Sequence, residues 1–249
     1  QLGAPEPYED QNKNKSFDAN EPFSDFSGNG KRDHDPFGAL QGLSRLKELY
    51  LFENRITKLS SMSNLPSLEI LLLGANELKN ANDFKDFSSL RRLVLSDNHL
   101  SDVRGLFDMT NLEYLYLTEN RLGDLRALRK LTSLRELHLQ HNHFTDIQPV
   151  ANLGELRVLG LSGNFVSDIS PIKRLIDKKA INSKQYPELS RLGIANNNLD
   201  LKDVETLDLL EQFREASIRV TLGKQHPRAT EIGPLFAVLT GDKVANLRL

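Results

Sequence analysis

Histidines and carboxylates are the side chains of this chain best suited to acid–base or metal chemistry. His138, His141 and His143 lie close together, with His99 further upstream. A metal or general-base site needs two or three such groups to converge with a carboxylate. The 34 acidic and 32 basic residues instead recur at a fixed interval, as on a solvated face. G-x-S-x-G, the phosphate-binding G-x-x-x-x-G-K-[ST] and H-E-x-x-H are all missing from the sequence. With no cysteine, disulfides, thiolate metal sites and a cysteine nucleophile are excluded. The residues therefore point to a non-catalytic protein.

One stretch has the spacing of a cation site. Asp25-Phe-Ser27-Gly-Asn29-Gly30-Lys-Arg-Asp33 places oxygens at alternate positions and then a glycine for a sharp turn, as a calcium loop requires. It resembles the D-x-[DN]-x-[DN]-G loops of EF-hands and of many secreted bacterial proteins. Ser27 replaces an acid, and Pro36 stands where an EF-hand has its bidentate glutamate. The metal expectation is calcium on Asp25, Ser27, Asn29 and Asp33, against a solvated Gly/Asn turn. No other cofactor is expected.

The elements that position these residues come from a repeat. From Leu46 the chain reads in rows of 22 residues, starting at Leu46, Leu68, Leu90, Leu112, Leu134 and Leu156. A constant period of this size means stacked repeats. Leu49 and Leu51 are two apart, so both point to one side of a short strand while Tyr50 points to the other. Ile56, Leu59, Met62 and Leu65 return the chain on the far side, with spacing that suits a short helical or 3₁₀ turn. One row cannot bury its own apolar side, so stability comes from neighbour on neighbour. Asparagines at 54, 76, 98, 120, 142, 164 and 197 stand where each strand turns, and their amides can satisfy backbone groups left unpaired by the bend.

The shared template, L-x-x-L-x-L-x-x-N-x-L, resembles the leucine-rich repeat family. The likeness is to the 22-residue class of bacterial internalins and of the nuclear phosphatase-regulating subunit. It implies an α/β solenoid, a horseshoe with a parallel concave β-sheet and short helical or 3₁₀ turns on the convex side.

The chain then divides in order. Residues 1–36 form an acidic leader, polar and with almost no aliphatic residue, which cannot bury enough surface to order itself. Residues 37–45 (FGALQGLSR) are an N-terminal cap segment. The repeats run over 46–201, with an insertion at about 176–188. Residues 202–249 hold irregular repeats and a cap: an amphipathic helix over Lys202–Ala216 with Val204, Leu207, Leu210 and Phe213 apolar, then template strands at Ser217–Gln225 and Val244–Leu249. Gln225 takes the asparagine place. The apolar stretch 232–239 is expected to return along the outer side.

Function is expected on the hollow inner wall. Tyr50, Phe52, Ile70, Leu72, Val94, Tyr114 and Tyr116 face it although folding needs no apolar residue there, and Arg92 and His138 lie among them. Exposed apolar area with a charged rim marks an interaction surface, and tyrosine is enriched at interface hot spots. A covering by the leader or a cap is the competing reading. His138 points into the same wall, while His141 and His143 flank Asn142, so a metal site there is not expected. The later rows turn small, with Gly160, Ser162, Gly163, Gly193 and Ala195.

The expected function is protein–protein recognition on the concave face by a monomer. The net charge of −2 gives no basic excess for nucleic acid, and no apolar run is long enough to span a bilayer. Lack of cysteine and a first residue other than methionine fit a bacterial exported protein, secreted or at the cell surface. The alternatives are a cytoplasmic scaffold or regulatory subunit, or the repeat domain of a larger effector.

Overall fold

The computed structural model describes residues 37, 40, 43–59, 62, 65–177, 189–223, 225 and 238–239. The calcium-loop candidates Asp25, Ser27, Asn29 and Asp33, the rest of the leader, most of the insertion and the Val244–Leu249 strand lie outside them.

Each row contributes a three-residue strand: β1 Glu48–Tyr50, β2 Ile70–Leu72, β3 Arg92–Val94, β4 Tyr114–Tyr116, β5 Glu136–His138, β6 Val158–Gly160, β7 Arg191–Gly193 and β8 Arg219–Thr221. They form one parallel sheet in chain order. Leu49 pairs with Leu71, Leu71 with Leu93, and so on to Leu192 with Val220, with no slip of register. The middle residue of every strand is buried, while its neighbours face the concave side. This is the leucine-rich repeat horseshoe.

The convex side is made of 3₁₀ turns, at Asn82–Asp86, Arg104–Leu106, Arg126–Lys130, Gln148–Asn152 and Ser170–Ile172. Apolar residues three apart seat these turns on the core, as in Leu125, Leu128, Leu131 and Leu134, each at most 1% exposed. The cap segment repeats that device. Leu40 N–H bonds the carbonyl of Phe37, Leu43 that of Leu40, and Leu46 that of Leu43. Phe37 is buried, so the described part of 37–45 packs like the return half of a row.

Between strand and turn stands the asparagine ladder. Asn98 Nδ2 donates to Leu73 O of the preceding row (2.9 Å) and Leu95 O of its own (3.1 Å), and Asn98 Oδ1 accepts from Leu78 N–H (3.0 Å). The pattern continues through Asn120 and Asn142 to Asn197. Gln225 joins it, donating to Leu222 O and Ile194 O and accepting from Asn197 N–H. Asn54 differs from the expectation. Among the described residues no strand precedes it; it is half-buried and bonds Leu51 O and Phe52 O of its own row. The residue before each asparagine turns the chain through left-handed backbone. Glu53, Ala75, Asp97, Glu119, His141 and Asn196 have φ between 51° and 56°, and Gly163 has 72°.

A second ladder holds the convex turns. Asp102, Asp124, Asp146, Asp168 and Asp200 each accept the backbone N–H two residues on, at 2.7–2.9 Å. Asn80 does the same for Asn82 at 3.1 Å. These side-chain-closed turns start the 3₁₀ segments, except that the one at Asp200 precedes an α-helix.

A short helix, α1 Lys173–Asp177, follows the last 3₁₀ turn. Two expectations need correction. The later helix, α2 Val204–Glu215, is capped by Asp203, whose carboxylate accepts Thr206 N–H at 2.7 Å. It buries Leu209, Leu210 and Phe213, whereas Val204 is 77% and Leu207 41% exposed. A strict spacing of three drifts around a 3.6-residue helix, so Val204 has rotated off the packed side by the time Phe213 reaches it. Finally, Val238–Leu239 form β9, antiparallel to β8, instead of returning along the outer side. Pairing with the last parallel strand satisfies backbone groups that an open edge leaves free.

Candidate functional site

The inner wall is built from the residues on either side of each buried strand leucine, together with the next outward residue. Tyr50 and Phe52 are 52% and 54% exposed. They lie at the first strand, where no preceding strand among the described residues covers them. Ile70, Leu72, Val94, Tyr114, Tyr116 and His138 are half-buried by their lateral neighbours, and Arg92 is exposed. Register brings the set together: Tyr50 beside Leu72, Leu72 beside Val94, Val94 beside Tyr116, and Tyr116 beside His138.

Several of these side chains are fixed before any ligand arrives. The Tyr116 and His138 rings stack with centroids 4.6 Å apart and planes within 5°. Tyr116 donates its hydroxyl proton to Glu136 at 3.0 Å, and His138 Nε2 lies 3.5 Å from the same carboxylate. Gln140 contacts His138 Nδ1 (3.4 Å) and accepts from the Thr118 hydroxyl (3.0 Å). The Arg92 guanidinium lies over the Tyr114 ring, 4.7 Å from its centroid, as a cation–π pair. Tyr50 donates to Glu48. Burial first, then the bond to Glu136, pushes the Tyr116 phenol above its usual pKa. The bond to Glu48 does the same for Tyr50. Both phenols donate hydrogen bonds to carboxylates on the wall.

Gly160 has a packing role. A Cβ there would come within 2.3 Å of Gln140 Nε2, so the glycine leaves room for the amide that holds His138.

The wall is edged by a column of alternating charge. Lys47 pairs with Glu69 at 3.0 Å, and Glu113 takes both Arg91 (2.9 Å) and Arg135 (3.0 Å). Glu69, Arg91, Glu113 and Arg135 line an open polar groove of about 750 Å³. A second groove, of about 680 Å³, lies on the convex side around Phe107, Asp102 and Asp124. There Arg129 and Lys130 sit over the Phe107 ring at 5.3 and 4.0 Å.

Among the other histidines, His141 occupies a left-handed turn position and His143 lies 6.3 Å from the Phe165 ring. Among the described residues no three histidine, aspartate or glutamate side chains are grouped so as to hold a metal ion. No helix among them is long and apolar enough to cross a membrane. Two sets of residues escaped the reading of the sequence. One is the convex aspartate column, whose 22-residue spacing is visible but resembles solvated acid. The other is Arg157, Arg191 and Arg219, exposed on the wall of the last rows.

Comparison with known proteins gives a consistent picture. The model described as "Leucine rich repeat" matches residues 33–78 and 88–144, and that described as "Leucine Rich repeats (2 copies)" matches 132–174. Among solved structures, internalin C2 of Listeria monocytogenes is 31% identical, with 72% of each chain covered and a TM-score of 0.62. A leucine-rich repeat protein of Leptospira interrogans is 26% identical over 74% of this chain and 44% of its own, with a TM-score of 0.61. A second Listeria internalin, inlF, is 24% identical over 84% of this chain and 63% of its own, also at 0.61, and so speaks for the fold alone. This chain thus spans less than two thirds of the length of the last two. No curated protein matches the sequence.

Proposed function

Because the chain belongs to the leucine-rich repeat family and is internalin-like within it, we propose that it is a non-catalytic recognition module that binds a protein ligand on its concave face. Members of this family are typically non-catalytic protein-binding modules, which sets the class; the particular face is argued from the wall itself. The observation that carries the reading is the exposure of Tyr50 and Phe52, half of each side chain, beside the pre-stacked Tyr116–His138 and Arg92–Tyr114 pairs. Aromatic side chains already held in one rotamer lose little entropy on binding, and such residues dominate interface energies. The site is Tyr50, Phe52, Ile70, Leu72, Arg92, Val94, Tyr114, Tyr116 and His138, presented by a monomer to a protein rather than to nucleic acid.

Likeness to Listeria internalins and the absence of cysteine support a bacterial exported protein. Calcium bound by Asp25, Ser27, Asn29 and Asp33 remains part of the proposal, supported by the spacing of those oxygens alone.

The test is Tyr50→Ala with Tyr116→Ala, measured by capture of partner from host-cell extracts and by thermal unfolding. Loss of the two anchors costs on the order of 2 kcal/mol or more each in binding. Stability should change little, because neither ring is in the core. Capture that survives in a folded double variant places the partner elsewhere.

A further inference from the structure

Three arginines surround the small-residue floor of the last rows. Arg191 and Arg219 are direct partners in the β7–β8 register. Arg157 precedes Val158, the partner of Arg191 in β6. Adjacent strands lie about 4.8 Å apart, so the three side chains spring from backbone within about 10 Å. All three are exposed, and none has an ion pair or side-chain hydrogen bond with a described residue. The three arginines on the wall of the earlier rows are engaged, Arg91 and Arg135 with Glu113 and Arg92 with Tyr114.

Charge is also segregated along the wall. Each row can be followed from the residue before its strand to the left-handed residue after it. Between Lys47 and His141 these positions hold seven acids and four bases. Between Arg157 and Gly223 they hold the three arginines and, among the described residues, no acid. A guanidinium keeps its charge at any physiological pH and presents a planar fork of donors to carboxylates. Three unpaired forks side by side repel one another, and an anionic partner relieves that repulsion.

We infer that this end of the concave wall is a second contact region, one that takes an acidic polypeptide segment in extended conformation. The inference rests on the concave-face reading and deepens it by naming the chemistry of the partner. Residues on one face of an extended segment recur about every 7 Å, which lets two or three carboxylates meet the three guanidiniums. Gly193, two residues beyond Arg191 on the same strand, adds no side chain to the wall, so a partner backbone can approach closely there. A nucleic acid fits less well, since its phosphates continue in both directions and the wall turns acidic toward the first rows.

The experiment uses the full chain and a fluorescein-labelled peptide of alternating Glu and Ser, read by fluorescence anisotropy. The variants are R191S/R219S and, as a control of equal charge change, K58S/K85S, with circular dichroism to verify folding. Binding should weaken about tenfold or more in R191S/R219S, by less than about twofold in the control, and with added salt in the unaltered protein. The inference is overturned by equal weakening in both variants, or by no binding to the full chain. A single-stranded oligonucleotide of equal charge that competes more tightly through the same arginines overturns it in favour of nucleic acid. Sedimentation showing self-association that R191S/R219S abolishes assigns the surface to a second copy and also overturns it. Binding that emerges only when the acids of residues 1–36 are neutralised gives the site to that segment, with the same result. Peptide binding indifferent to R191S/R219S, with partner capture still lost in Y50A/Y116A, sinks this inference and leaves the broader reading standing. Capture that survives Y50A/Y116A sinks the broader reading instead.

Discussion

Replacing Asn120 with alanine tests how the rows are held together. The amide makes four contacts that can be lost: Nδ2 to Leu95 O at 2.9 Å, to Leu117 O at 3.1 Å and, more weakly, to Thr118 O at 3.3 Å, and Oδ1 from Leu100 N–H at 2.9 Å. They are not equivalent. Leu95 O also accepts from Asn98, and Leu117 O also accepts from Asn142, so each carbonyl keeps one partner. Leu100 N–H has no other, and it lies in a buried site. An orphaned buried donor costs about 1–3 kcal/mol, and a thinned carbonyl about 0.5–1 kcal/mol. With the small void left by the side chain, Asn120→Ala should cost roughly 3 kcal/mol. Asn54 occupies the same template place, but it is half-buried and, among the described residues, bonds only its own row. Asn54→Ala should cost no more than about 1 kcal/mol. Equilibrium urea unfolding followed by circular dichroism measures both. Costs equal to within about 0.5 kcal/mol would refute the account, because sequence position alone would then explain the ladder and inter-row bonding would not.

Two further outcomes follow from the convex side. A Cβ at Gly105 would stand 1.7 Å from the backbone carbonyl oxygen of Ala81, whereas one at Gly123 meets nothing within 4 Å. Gly105→Ala should therefore cost more than about 3 kcal/mol, and Gly123→Ala should lie within about 1 kcal/mol of neutral; a thermal melt of each checks it. The Arg104 and Arg126 guanidiniums hold the carboxyls of Asp102 and Asp124 below the usual aspartate range. A carboxyl lowered on folding contributes stability that is present above its unfolded pKa, about 3.9, and is lost as pH falls through its folded value. Between pH 5 and 2 the unaltered protein should lose more melting temperature than the D102N/D124N variant. The difference is small because these pairs face solvent, and its absence would remove the pairs from the acid response.

The repeat made most of this architecture readable in the chain. Alternation of Leu49, Tyr50 and Leu51 sets which face is buried, and the 22-residue period sets the register, so the wall from Tyr50 to His138 could be assembled row by row. Gln225 could be placed in the ladder for the same reason, since a longer amide offers the same donor and acceptor. Features without that period were harder. Arg157, Arg191 and Arg219 are separated by 34 and 28 residues, so their adjacency emerges only after the insertion is looped out. The two-residue β9 carries no pattern of its own. In α2, four apolar residues at a spacing of three suggested a stripe, but packing against β8 selected Leu209, Leu210 and Phe213. The aspartates at 102, 124, 146 and 168 did have the period. Their role was hidden because a carboxylate closing a local turn and one facing water share the same spacing.

The slip-free register of β1 to β8 makes the inner wall a ruler graduated in whole strands. Removing or adding one complete row, such as residues 112–133, rejoins chain of the same phase and moves everything beyond it by one strand width, about 4.8 Å. The span from the aromatic end to the arginine end can therefore be reset only in such steps. A shift within the strand half of a row would turn leucines outward and break the amide ladder, whereas the longer spacings from Leu159 to Leu192 and from Leu192 to Val220 leave the register intact. Partners of different length are thus accommodated by counting rows, without redesigning either end.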